Sequence, residues 1–272
     1  MIETLVPAEA SASEAFGPDG SAVLYPEEAA LVASAPNERR EEFTTVRGCA
    51  RRALAALGLP PAPVLPGKRN VPRWPAGVVG SMTHCSGYRA AVLARDTDLM
   101  AVGIDAEPHR PLPRGVLEAT ALPGELAWVR TPVAGAAPFH RDRLLFSAKE
   151  AVYKTWYPLV GTELDFEDAV ISFREDGRGD APADAPADAP AGGPGGGPAG
   201  GPGGGTPAAG GRTGTFRARV LRPGTAPDGH PVTAFAGRWS VHRGLVVTAI
   251  TVPARRPAGA AGTEGGVALP GR

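Results

Sequence analysis

A helical stretch followed by a run of short extended segments occurs twice along this chain, and that order constrains the fold more than any other feature. In the first instance a helical pattern starts at Pro26, with Glu27 and Glu28 in a first turn where acids suit the helix dipole. A second helix follows from about Asn37 to Leu57. Its Phe43, Val46, Ala50, Leu54 and Leu57 recur three or four residues apart as one apolar stripe, and Gly58 ends it. "PPAPVLPGKRNVPRWP" (60–75) is too rich in proline for helix, and "GVVGSMTHC", "GYRAAVLAR" and "LMAVGIDAE" then read as three successive strands. In the second instance a helix from about Asp142 to Tyr157, stopped by Pro158, precedes four strands: "EDAVISFR", "TFRARVLR", "GRWSVHR" and "GLVVTAITV". The order predicts an α+β chain of two similar halves, residues 25–110 and 111–253, after an irregular N-terminus (1–24) and before a loose tail (254–272).

One segment stands apart. From Asp176 to Gly214 the chain is almost entirely Pro, Gly and Ala, which cannot bury a core, so a disordered excursion between two strands is expected. Its glycines are not a phosphate-cradling loop, because no G-x-x-x-x-G-K-[ST] is present. Elsewhere composition excludes more than it assigns. Lys plus Arg and Asp plus Glu both number 28, so no net charge points to nucleic acid or a membrane surface. Cys49 and Cys85 lack metal or redox spacing and read as free thiols of a reducing compartment. The first residues lack a basic segment followed by an apolar one, and no run of about 18 apolar residues occurs. A cytoplasmic protein is expected.

"GIDAEPH" (103–109) is where chemistry first shows. Side chains alternate along a strand, so Asp105 and Glu107 share a face roughly 7 Å apart and raise each other's pKa unless a cation lies between them. The helix "RDRLLFSAKEAVYKTWYPL" (141–159) adds a polar stripe of Arg143, Ser147, Glu150 and Lys154. That stripe has two readings: an exposed face with a Glu150–Lys154 ion pair worth ~0.3–0.5 kcal/mol, or a third carboxylate aimed at the strand pair to complete a site for a hard cation such as Mg2+. Mg2+ commonly shares its oxygens with substrate phosphates, and candidate phosphate-binding groups are present: Lys149, Lys154, "GKR" (67–69) and His84. Only three of the 28 basic residues are lysine, Lys68, Lys149 and Lys154, which makes their retention notable. Arg39, Arg40, Arg47, Arg51 and Arg52 stud the second helix, where a solvated basic face is the plain alternative. His84 beside Cys85 lacks zinc spacing.

Taken together and in order, "GKRNVPRWPAGVVGSMTHC", "GSMTHCSGYRAAV", "VGIDAEPH" and "FSAKEAVYKTWYPL" resemble the 4'-phosphopantetheinyl transferase superfamily, in particular the branch of enterobactin synthase component D and its actinobacterial relatives. The likeness spans about residues 25–253. It implies two similar α+β halves, and transfer of the phosphopantetheine arm of coenzyme A to a serine of an acyl or peptidyl carrier protein by a monomeric, Mg2+-dependent enzyme. On this resemblance Asp105 and Glu107, with the Ala106 carbonyl, correspond to metal ligands, and Glu150 to a third ligand or the general base. Lys154 corresponds to the lysine at the reacting phosphate. Gly67, Lys68, Arg69, Thr83 and His84 correspond to positions along the coenzyme, and Arg39 (or its neighbour Arg40) and Arg47 to groups reaching its 3'-phosphate. Two rivals stay open: another Mg2+ enzyme acting on phosphoanhydrides, and a non-catalytic binding module.

Overall fold

The computed structural model describes residues 1–132, 139–177 and 211–255. Its elements in chain order are β1 (Ser11–Ala15), α1 (Pro26–Leu31), α2 (Asn37–Ala56), β2 (Leu65–Pro66), β3 (Pro72–Arg73), β4 (Val78–Cys85), β5 (Tyr88–Arg95) and β6 (Leu99–Pro108). There follow α3 (Val116–Thr120), α4 (Pro123–Arg130), α5 (Arg141–Val160), β7 (Ala169–Glu175), β8 (Arg212–Thr225), β9 (Pro231–His242) and β10 (Leu245–Pro253). The mixture of helices and antiparallel sheets is the α+β class that the sequence predicts.

Two sheets carry the fold, β1-β5-β4 and β6-β10-β9-β8-β7, with β2 and β3 forming a short ribbon. Although β6 follows directly on β5 in sequence, it is hydrogen-bonded to β10 in the second sheet. Its other edge runs alongside β4, where side chains replace the backbone ladder. Ser81 Oγ accepts the Ile104 N–H (3.1 Å) and Thr83 Oγ1 the Ala106 N–H (3.0 Å). Both pairs are offset by the same number of residues, so the strands run parallel and two buried hydroxyls hold the seam between the sheets.

α2 lays Cys49, Ala50, Ala53 and Leu54 on the first sheet, where they meet Ala91 and Leu93. α5 lays Leu144, Leu145, Ala148, Val152 and Trp156 on the second, in a cluster with Phe216, Phe235 and Trp239. A third cluster, with Ile2, Tyr88, Val102, Ile104, Ala106 and Val247, fills the reverse side of the seam. One local arrangement occurs in both parts of the chain. Glu28 caps α1 by accepting the Tyr25 N–H (3.0 Å), then accepts the Val64 N–H (2.8 Å) and pairs with Arg51 of α2 (3.0 Å). Glu125 does the same for α4, accepting the Leu122 and Ile171 N–H groups (2.8 and 2.7 Å) and pairing with Lys149 of α5 (2.8 Å). Each carboxylate is buried and fully engaged, so it fastens a short helix, a strand and a long helix at one point.

The structure departs from the sequence reading in three places. The N-terminus is not irregular: Ile2–Leu5 is a 3-10 turn with Ile2 and Leu5 buried, and β1 pairs with β5. "SASEA" carries no apolar alternation, so its strand character comes from the edge it joins. α5 runs through Pro158 to Val160 and ends at Gly161, whose positive φ of 80° suits glycine and whose N–H reaches Tyr157 O. Pro158 withholds an N–H from the Lys154 carbonyl, a loss the last turn of the helix absorbs. β8 begins at Arg212, so the low-complexity segment ends in strand. Its residues 178–210, and the tail from 256, lie outside the described residues.

Candidate functional site

The site forms where α5 crosses β6, and glycine makes the crossing possible. A Cβ on Gly103 would stand 2.1 Å from Thr155 Oγ1 and 2.3 Å from the Ala151 carbonyl, so only glycine lets the helix come this close. The polar stripe of α5 therefore faces the sheet instead of solvent. Arg143 Nη1 meets Glu107 (2.8 Å) while its Nε and Nη2 donate to the carbonyls of Arg110 and Pro111. Ser147 and Thr248 share a hydroxyl bond (2.9 Å), and Lys154 Nζ donates to Asp105 Oδ1 (2.7 Å). The Glu150–Lys154 surface pair is thus replaced by a cross-element pair. Buried pairing of this sort holds position more than it stabilises.

Asp105 is the centre of the electrostatics. It is 4% exposed, and its Oδ2 has no hydrogen-bond partner, which costs free energy wherever a carboxylate oxygen is kept from water. Burial raises the Glu107 carboxyl above its usual range, and the Asp105 charge raises it further against the pull of Arg143. Glu150 is raised in the same way, first by burial and then by Asp105, with Lys154 opposing. Glu107 along β6 and Glu150 across the α5–β6 crossing therefore both feel the Asp105 charge. As placed, Lys154 and Arg143 neutralise two of these three carboxylates, and among the described residues no three acidic, His or Cys side chains converge in metal-holding geometry. The Ala106 side chain is in the core. Its N–H is directed at Thr83, and in an extended strand the carbonyl of the same residue points to that same side, into the seam.

A cavity of about 600 Å³ opens beside this crossing. Arg39, Arg47, Arg69, His84, Glu150 and Lys154 line it together with Tyr153, Tyr157 and an apolar wall of Leu31, Val32 and Phe43. Arg39 Nη1 lies 2.9 Å from His84 Nε2, and Glu42 stands 3.6 Å from both Arg39 and His84 Nδ1. Burial lowers the His84 pKa, and the positive charges of Arg39, Lys154 and Arg89 add to this against Glu42. The ring is therefore neutral at pH 7, with Nε2 accepting from Arg39. Arg47 lies deeper. It bonds the Val64 carbonyl, stacks on Phe43 with 3.1 Å between guanidinium carbon and ring centroid, and has a pKa lowered to about 10 by burial.

Not every expected residue joins this cavity. Arg40 turns away to the carbonyls of Ala33 and Ala35, so of the adjacent arginines Arg39 is the one that faces inward. Lys149 is buried on the far side of α5, held by Glu125 and the carbonyls of Phe166 and Ala169. It closes the fold and is no phosphate-binding group. Thr83 belongs to the seam. Gly67 and Lys68 sit on the 3-10 turn Lys68–Asn70 outside the cavity lining, and Arg69, at φ 56°, pairs with Glu163. Sequence reasoning missed Glu42, which links Arg39, His84 and Arg89. Its place three residues after Arg39 on a helix was the available signal.

Residues 27–94 match the 4'-phosphopantetheinyl transferase N-terminal domain, and residues 101–187 match the 4'-phosphopantetheinyl transferase superfamily. The chain is 47% identical over 264 residues to 4'-phosphopantetheinyl transferase Svp of Streptomyces mobaraensis, covering 96% of this chain and 92% of that protein. It is 47% identical over 227 residues to 4'-phosphopantetheinyl transferase PptT of Mycobacterium tuberculosis, covering 84% and 85%. A more distant likeness, 32% over 137 residues and about half of each chain, is to enterobactin synthase component D of Salmonella typhi. The chain belongs to the 4'-phosphopantetheinyl transferase superfamily, a family of transferase enzymes.

Proposed function

We propose that this enzyme moves the phosphopantetheine arm of coenzyme A to the serine hydroxyl of an apo acyl- or peptidyl-carrier domain and releases 3',5'-ADP, acting as a cytoplasmic monomer. No helix among the described residues is long and apolar enough to cross a membrane. The observation that carries the reading is the buried, unpartnered Oδ2 of Asp105, with Lys154 on its other oxygen and the raised carboxyls of Glu107 and Glu150 beside it. A buried carboxylate oxygen without a partner, whose charge raises two further carboxyls, suits a hard, oxygen-seeking cation. Asp105, Glu107 and Glu150 would hold Mg2+, with the Ala106 carbonyl within the same strand end. When bound, Mg2+ would neutralise charge on the pyrophosphate being cleaved.

The chain's own groups supply the rest. Lys154 spends one N–H on Asp105 and keeps two for phosphate oxygens, so it stabilises charge where the bond breaks. Glu150, with its pKa lifted toward the working range, accepts the proton of the attacking serine, directly or through water. Arg39, which lines the same cavity, binds phosphate remote from the reacting bond, and His84, accepting from its guanidinium, holds it in place. Cys85 is no rival nucleophile: burial and the charges of Glu107 and Asp105 push its thiol up to about 12.

The test is incubation of the chain with coenzyme A, Mg2+ and an apo carrier domain, followed by intact mass measurement. A mass gain of one phosphopantetheine is expected, absent when the carrier serine is replaced by alanine. Coenzyme A binding without mass gain would favour the binding module, and hydrolysis without transfer the other phosphoanhydride enzyme.

A further inference from the structure

The five-stranded sheet has two faces, and the transfer chemistry uses one. Asp105, Thr248 and Trp239 are paired neighbours on the face that α5 covers. Side chains alternate, so Arg238, beside Trp239, points to the other face, and register places Thr215, Arg217 and Arg174 there with it. Over β7 to β9 this second face is exposed. It carries Arg174, Arg217, Arg219 and Arg238, and none of these guanidiniums has an ion-pair or hydrogen-bond partner among the described residues. No carboxylate shares the face from Val170 to Arg174, Thr215 to Arg219 or Ala234 to Arg238. Glu175, which ends β7 at the groove, is taken up by Arg212, and Asp176 beyond it by the Thr213 hydroxyl.

The arrangement is regular. Arg174 and Arg238 both oppose Thr215, one from each neighbouring strand, and Arg217 stands one step further along β8 with Arg219 beyond it. Small Ala236 lies between the arginines, so the side chains border a groove of about 1150 Å³ with Leu5 and Pro7 as its apolar wall. Like charges crowded on one sheet face destabilise it, so this array costs stability unless something of opposite charge covers it.

We propose that this face docks an acidic helix of a partner protein. Three features favour that occupant. Arginines two apart on a strand are spaced by ~6.6 Å, and carboxylates four apart on a helix by ~6 Å, so one row of a helix meets Arg217 and Arg219 in register. Guanidinium takes carboxylate with two parallel hydrogen bonds, which gives orientation as well as attraction. At about 1150 Å³ the groove is larger than the pockets that enclose small ligands, and its strands put no aromatic side chain among the arginines for a nucleic-acid base to stack on, while Trp128, at the α4 rim, is already stacked on Phe173. The proposal is independent of the transfer reading, because the face lies across the sheet from the cleft.

The experiment uses the full chain and a labelled alanine-based helical peptide with glutamate at every fourth position, read by fluorescence anisotropy. The wild-type chain is expected to bind this peptide and not its glutamine counterpart. Binding should weaken as salt rises from about 0.1 M to about 1 M, where the screening length falls from ~10 to ~3 Å. R217E/R238E is expected to weaken binding by at least about tenfold while transfer to a free carrier domain is unchanged. R217Q/R238Q, which adds no repulsion, gives a smaller loss and covers the case in which the reversal does not fold. Equal weakening by R95E, at the end of β5 in the other sheet and outside the groove, would reduce the effect to net charge and overturn the proposal. So would unchanged peptide binding in both double variants, or tighter binding of a short DNA duplex or of phosphatidylserine vesicles than of the peptide.

Discussion

Asp105 sits between opposing demands. Its Oδ2 is buried without a partner, and its charge raises two neighbouring carboxyls, so it costs stability where it stands. Asp105→Asn keeps the volume and removes the charge. The account expects transfer to fall by about 10²-fold or more with a melting temperature unchanged or higher, measured by the mass assay and calorimetry. A loss of fold with the loss of activity would make Asp105 structural. Tyr88 poses a separate test. Its phenol donates to Glu14 (2.6 Å), and burial first, then that bond, push its pKa above the ordinary value of 10.0. A raised folded-state pKa gives stability that is whole below pH 10 and lost as pH rises beyond it. Tyr88→Phe should cost about 1.5–3 kcal/mol at pH 7, and urea melts should show the gap to wild type closing above pH 10. At this scale the sequence was readable where spacing is local. Alternation along one strand put Asp105 with Glu107, and helical phase put Glu150 with Lys154. Lys149 was misjudged as a phosphate group because its partner, Glu125, lies in another element. A choice such as Arg39 over Arg40 depends on where α2 packs, which no local pattern states.

Between elements, the closest approach in the molecule's working part is Gly103 beneath α5. Gly103→Ala would drive a methyl into Thr155 and the Ala151 carbonyl, and the helix would have to lift from β6. Overpacking of this kind costs about 1–3 kcal/mol. Because Glu150 and Lys154 move with the helix, transfer should fall as well, although Gly103 touches no substrate. Unchanged kinetics in a destabilised variant would separate packing from positioning. The β4–β6 seam makes a second prediction. Thr83→Val removes the acceptor for the buried Ala106 N–H, so a loss of about 1–3 kcal/mol is expected in denaturant melts. The long helices were legible from their apolar periodicity, and "TFRARVLR" read as a strand. β1 was not, since five small or polar residues form a strand only because β5 offers an edge. Nor was the partner of β6, because sequence order favours β5 while hydrogen bonding selects β10.

Across the whole molecule, the repeated Glu28 and Glu125 fastenings and the two family matches follow the order of helix and strands seen in the sequence, and the working groups gather where the two parts meet. Residues 178–210 connect β7 and β8, whose paired ends, Glu175 and Gly214, are already neighbours. A short glycine-rich turn in their place should leave stability and transfer nearly unchanged, because closure cost rises by only ~0.6 kcal/mol per doubling of loop length. A large loss of activity would instead assign that segment a partner. The proposed role of Asp105 is to gather a hard cation where coenzyme and carrier meet. Its most direct test is titration with Mn2+ in the presence of coenzyme A, read by electron paramagnetic resonance, on the wild-type chain and the Asp105→Asn variant. The account predicts one tightly bound Mn2+ per wild-type chain and none in the variant. Equal binding by both would contradict it.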